Sequence, residues 1–110
     1  MKSNLIFTSD FSNNILFDFL DIYTPIENEQ YIFDKLIYKK YEYKNEINDF
    51  LLKIKEYYKP NKLYYTEREV NYKNLLTIIR QICKFKNISY FHKIKYEKNQ
   101  YYIIYYIQKS

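Results

Sequence analysis

One histidine and one cysteine, His92 and Cys83, are the side chains best suited to proton transfer or nucleophilic attack. A general base or a metal centre needs partners at defined spacing, and none accompanies either residue. His92 alternates with Ile88, Tyr90 and Ile94, which predicts a packed histidine on one side of a strand. Cys83 falls among apolar residues at helical spacing, the setting of a small buried hydrophobe. One residue is mid-helix and the other mid-strand, which disfavours a thiolate–imidazole pair.

Carboxylates offer little more. Asp34 with Glu42-Tyr43-Lys44 loosely resembles the acid-and-lysine set of metal-dependent nucleases, but that set belongs on strands and this segment reads as helical. Glu67 and Glu69 lack a third acid at an evident position, so both groups read as surface charge. Glycine is absent, so no glycine-rich phosphate loop exists, which argues against a nucleotide-hydrolysing or dinucleotide-binding enzyme. The expectation is a non-enzymatic protein with no cofactor, no metal and no small-molecule substrate.

Charge is the stronger signal. Residues 1–61 hold eight lysines against ten acids, net −2, while residues 62–110 hold eight lysines and two arginines against three acids, net +7. Lys73, Arg80, Lys84, Lys86, Lys93, Lys95 and Lys98 are the candidate nucleic-acid-binding set, because a clustered cationic surface binds polyanions through counterion release. The bland alternative is a solvated surface that keeps an apolar chain soluble. Phe91 with Lys93 and Lys95 is the best local case for base stacking beside phosphate contacts. Tyr102, Ile104 and Tyr106 are the candidate interface of a homodimer or protein-interaction module, the rival function.

The 16 tyrosines and 8 phenylalanines need discounting. Lys, Asn, Ile, Tyr and Phe share AT-rich codons, whereas alanine and glycine, both absent, have GC-rich ones. Much of the tyrosine excess therefore follows from genome composition. A single cysteine excludes an internal disulfide, and no leader-like apolar segment or membrane-length run occurs, so the expectation is an intracellular, non-secreted protein without membrane contact.

The positioning elements follow from periodicity. Asn71 to Lys86 places Tyr72, Leu75, Leu76, Ile79, Ile82 and Cys83 on one helical face and Lys73, Thr77, Arg80 and Lys84 on the other. From Ile88 the period becomes two. Strands on either side of Glu97-Lys98-Asn99-Gln100 predict a hairpin to Ile107, apolar on both faces of its second strand and so covered on both. Upstream, Asn4–Phe7 reads as an edge strand, and a helix to about residue 22 follows a cap at Ser9 or Asp10. Thr24-Pro25-Ile26-Glu27 reads as a capping box opening a second helix to about Tyr41. A third helix runs from Asn45 to a stop at Pro60, a short strand spans Lys62–Tyr65, and Thr66 with Glu69 forms a further capping box.

The predicted fold is one α+β domain: a helical part over about 9–59 packed with a β-α-β-β part over about 62–108, a small antiparallel sheet ending in a hairpin. The order resembles a winged helix-turn-helix domain, with Asn74–Lys86 as recognition helix and Ile88–Ile107 as wing. If Asn4–Phe7 pairs, it resembles instead a basic, dimeric chromatin-protein topology. The segments Tyr31-Ile-Phe-Asp-Lys-Leu-Ile-Tyr-Lys-Lys and Leu76-Thr-Ile-Ile-Arg-Gln-Ile-Cys-Lys resemble uncharacterised proteins of mimivirus-like giant DNA viruses of amoebae. That resemblance implies a viral protein of the host cytoplasm, viral factory or virion, and implies no activity.

Overall fold

The computed structural model describes residues 5–33, 40–60 and 69–109. Its elements are α1 (Asn13–Tyr23), β1 (Ile26–Glu27), β2 (Gln30–Phe33), α2 (Lys44–Tyr58), a 3-10 turn (Tyr72–Asn74), α3 (Leu75–Phe85), β3 (Tyr90–Glu97) and β4 (Gln100–Gln108). The four strands form one antiparallel sheet in the order β1-β2-β4-β3. The α+β class is as the sequence predicts, and so is the terminal hairpin.

The second predicted helix is overturned at its start. Thr24 is the C-cap of α1, not the N-cap of a new helix: its backbone N–H and its hydroxyl both donate to the Leu20 carbonyl. Pro25 is a stop after a helix as readily as a start before one. The chain then turns through Asn28 and Glu29, both at positive φ (52° and 61°), and returns as β2. Within β2, Tyr31 and Phe33 are buried and Gln30 and Ile32 half-buried, a period of two. Residues 34–39 of that predicted helix lie outside the described residues, as do Lys62–Tyr65, Thr66 and Glu67, while Lys40 and Tyr41 at its predicted end lie in a turn.

The two hairpin turns match. Glu27-Asn28-Glu29-Gln30 and Glu97-Lys98-Asn99-Gln100 both place their central pair at positive φ, the pattern of the type I′ loop that suits the right-handed twist of paired strands. Glycine usually carries this conformation; here Asn, Glu and Lys do. Asn87, at φ 55°, closes α3 likewise. Ile88 N–H donates to the Cys83 carbonyl and Asn87 N–H to that of Lys84, a C-terminal cap with asparagine in glycine's usual place.

Other boundaries shift slightly. The N-cap of α1 is Ser12, whose hydroxyl accepts from Asn14 N–H at 3.1 Å, rather than Ser9 or Asp10. Helix α2 starts at Lys44, one residue before the predicted Asn45 cap, and ends before Pro60. Leu5–Phe7 forms no strand, so the topology built on its pairing is absent. Phe7 instead enters the core beside Phe11 (ring centroids 4.7 Å), and Tyr57 of α2 takes a backbone hydrogen bond from Thr8.

The helices lie on one face of the sheet, called the inner face here. Helix α1 reaches it through Phe17 against Tyr31 and Tyr23 against Phe33, with centroids 6.0 and 5.2 Å apart. Helix α2 packs behind α1, with Phe19 and Phe50 stacked at 4.4 Å and 12°. Helix α3 buries Leu75, Ile78, Ile79, Ile82 and Cys83, while Thr77, Arg80 and Lys84 stay exposed, as the periodicity predicts.

Two outcomes follow from this core. Phe50→Ala leaves a ring-sized cavity against Phe19, so it lowers unfolding free energy by about 3–5 kcal/mol, read by urea denaturation. Burial raises the phenol pKa of Tyr23, Tyr31 and Tyr58, and Tyr31 also donates to the Asp21 carboxylate at 2.7 Å. The unfolded chain therefore loses these protons first, from about pH 10. Stability is fully present below that pH and falls as pH rises above it, which an alkaline series of melting temperatures measures.

Candidate nucleic-acid interface

The turn at Lys98-Asn99 fixes the register of β3 on β4, and the register decides which side chains share a face. Phe91 lies opposite Tyr106, Lys93 opposite Ile104, Lys95 opposite Tyr102 and Glu97 opposite Gln100. All eight occupy the outer face, away from the helices. The intervening residues, Tyr90, His92, Ile94 and Tyr96 on β3 and Tyr101, Ile103, Tyr105 and Ile107 on β4, occupy the inner face.

On the outer face the Phe91 and Tyr106 rings stack at 4.9 Å and 11°. The Lys93 ammonium lies 5.9 Å from the Phe91 centroid and 5.5 Å from that of Tyr106, so the cation rides on the ring pair. Phe91 is 43% exposed, and among the described residues no strand lies beyond β3 to cover it. Lys95 pairs with the half-buried Glu97 at 3.3 Å, while about half of the lysine side chain stays in solvent, so the ammonium remains accessible to an anion. Ile104 is only 8% exposed, between Tyr102 and Tyr106 and opposite Lys93. Tyr102 donates to Gln100 at 3.2 Å.

Lys93 and Lys95 thus share the outer face of the hairpin, and the predicted interface trio Tyr102, Ile104 and Tyr106 lies on that same face. The two sequence hypotheses converge on one surface. Lys98 sits at the hairpin tip in the turn. Arg80 is on the other side of the sheet: its guanidinium lies 5.7 Å from the Tyr105 ring and 6.0 Å from the Tyr90 ring, both inner-face residues. Lys84 is exposed on α3, and Lys73 is exposed in the 3-10 turn. Lys86 is half-buried and donates to the Ser9 carbonyl at 3.2 Å. The structure therefore divides the seven predicted cations between the outer hairpin face, its tip and the helical side.

What the sequence missed is the ring pair. Alternation along one strand puts Phe91 on the side of Lys93 but says nothing of Tyr106 across the ladder. The signal was present: a two-residue loop at 98–99 pairs residues whose numbers sum to 197, hence 91 with 106.

The candidate chemical groups are placed as follows. Cys83 is buried and its thiol is pushed up to about 12 by desolvation. His92 occupies the predicted face but is exposed rather than packed, with Tyr105 as its ring neighbour at 5.8 Å. Glu42 and Lys44 are exposed, and Asp34 lies outside the described residues. Among the described residues there is no group of three or more His, Cys, Asp or Glu able to hold a metal, and no helix long and apolar enough to cross a membrane.

Comparison with known proteins found no matching family model, no matching curated protein and no matching solved structure.

The buried thiol gives a direct check. At pH 8 a disulfide reagent leaves Cys83 untouched in the folded protein and titrates one thiol after denaturation; fast labelling of native protein contradicts the burial.

Proposed function

We propose that this protein is a non-enzymatic, single-strand nucleic-acid-binding accessory protein that uses the outer face of its terminal hairpin. One observation carries the reading: a solvent-facing stacked ring pair, Phe91 and Tyr106, with the Lys93 ammonium over both rings and Lys95 on the same face. An unpaired base extends such a stack, whatever its identity, while the lysines meet the flanking phosphates. Bases inside a duplex are stacked and out of reach of these rings, so single strands are the preferred ligand. The net charge of +5, concentrated after residue 62, favours encounter with a polyanion. The burial of Cys83 supports a binding role over thiol catalysis.

Fluorescence anisotropy with labelled oligo-dT, oligo-U and a matched duplex tests this. The expected order is single strand above duplex. Contacts from Lys93, Lys95 and Lys98 give a log–log salt slope of about −2 for single strands. Phe91→Ala weakens binding by about tenfold or more through lost stacking. Lys93→Glu with Lys95→Glu flattens the salt slope. Absence of any anisotropy change at low salt, or equal binding by the Phe91→Ala and lysine variants, overturns the proposal.

A further inference from the structure

The far half of the hairpin exposes a second, chemically different surface. Pairing of β2 with β4 stops at Phe33 and Tyr105, so residues 100–104 of β4 have only β3 as a neighbour among the described strands. Among the described residues the hairpin is two-stranded from that point and forms an arm. It extends five residues beyond the sheet core, about 17 Å at the rise of a strand, in a molecule measuring 46 × 27 × 26 Å. The sequence predicts cover on both faces of β4; on the inner face of the arm the side chains are exposed instead. On its inner face Ile94, Tyr96, Tyr101 and Ile103 are 67%, 60%, 74% and 47% exposed.

These four side chains together present on the order of 400–500 Å² of apolar surface, as large as the largest patch on a typical monomer. With His92 they are the side chains that β3 and β4 place on this face of the arm, and none is acidic or a lysine or arginine. The face therefore offers no cation to a phosphate backbone and no anion to a basic partner.

We propose that this face binds a second copy of the chain, inner face to inner face, with the two arms antiparallel about a twofold axis near Ile94 and Ile103. Three observations favour that occupant. Burying both patches removes roughly 800–1,000 Å², at the lower bound of a specific association, so the dimer is weak and concentration-dependent. The uncharged face lets two copies of a chain of net charge +5 approach with Lys93 and Lys95 of each copy pointing outward. Facing sheets pack about 10 Å apart, close to the diameter of a helix, so the second arm continues the layer that α3 occupies. Its tip aromatics, Tyr96 and Tyr101, then approach the shelf of Arg80, Tyr90 and Tyr105.

Edge-to-edge pairing of two β3 strands is disfavoured. Antiparallel registers centred on Lys93, Ile94 or Lys95 each set lysine opposite lysine. The proposed dimer leaves both outer faces open and stands independently of the nucleic-acid reading.

Sedimentation velocity without nucleic acid, from about 1 µM to about 1 mM, covers the affinities a contact of this size can give. The expected result is a mass rising from 13.9 kDa toward twice that value. Ile94→Lys and Tyr101→Ser hold it at the monomer value, while the outer-face variant Lys95→Ser does not. The substituted residues are exposed, and circular dichroism melts confirm that each variant folds. A wild-type mass constant across the range overturns the proposal, as does a dimer untouched by the inner-face variants. It is likewise overturned if the protein stays monomeric yet floats with phosphatidylserine vesicles through Ile94 and Tyr101, which would assign the face to a membrane surface.

Discussion

The ladder between β2 and β4 holds this fold together. It joins residues 30–33 to residues 105–108, some 75 positions apart in sequence, through Gln30–Gln108, Tyr31–Ile107, Ile32–Tyr106 and Phe33–Tyr105. Without it the chain would be a set of helices and a separate hairpin, and a lone two-stranded hairpin is marginal in water. The cost of closing so long a loop grows only slowly with its length. The gain is the burial of Tyr31, Phe33 and Ile107 under α1, which places the hairpin's inner face against the helices and its outer face against solvent.

The same ladder explains what could be read from the sequence. The amphipathic α3, α2 with its stop at Pro60, and the terminal hairpin rest on local periodicity and local turn chemistry, and each is found where the pattern puts it. β1 and β2 depend on a partner near the C-terminus. Read locally, Thr24-Pro25-Ile26-Glu27 satisfies the rules for a helix start, and Ile32 and Phe33 satisfy a helical face as well as a strand. Only Ile107 and Tyr105, far away, decide between them. Asn28-Glu29 was the local clue, since it sits between glutamate and glutamine as Lys98-Asn99 does.

The candidate surface was legible in part. Alternation along β3 assigned Phe91, Lys93 and Lys95 to one side and His92 to the other, correctly. Alternation says nothing about where the helical layer ends. His92 was therefore expected to be packed, and Ile94, Tyr96, Tyr101 and Ile103 to be covered. The composition of β4, apolar on both sides, looks alike for a buried strand and for an arm awaiting a partner. Nor does charge along a sequence report sides of a sheet: Arg80 and Lys93 both ride on aromatic rings of one hairpin, yet on opposite faces of it.

The central position of β4 has a mechanical consequence. Both of its ladders begin at the same end, with Gln108 against Gln30 and Ile107 against Tyr90, and Lys109 adds a backbone bond to Glu29 and an ion pair with Asp21. A force that lifts Lys109 away from the sheet, across the strands, therefore peels β4 from its two neighbours together, one rung at a time. Drawn from that end, the sheet yields as a zip does, and the Lys109 contacts form the catch that must open first.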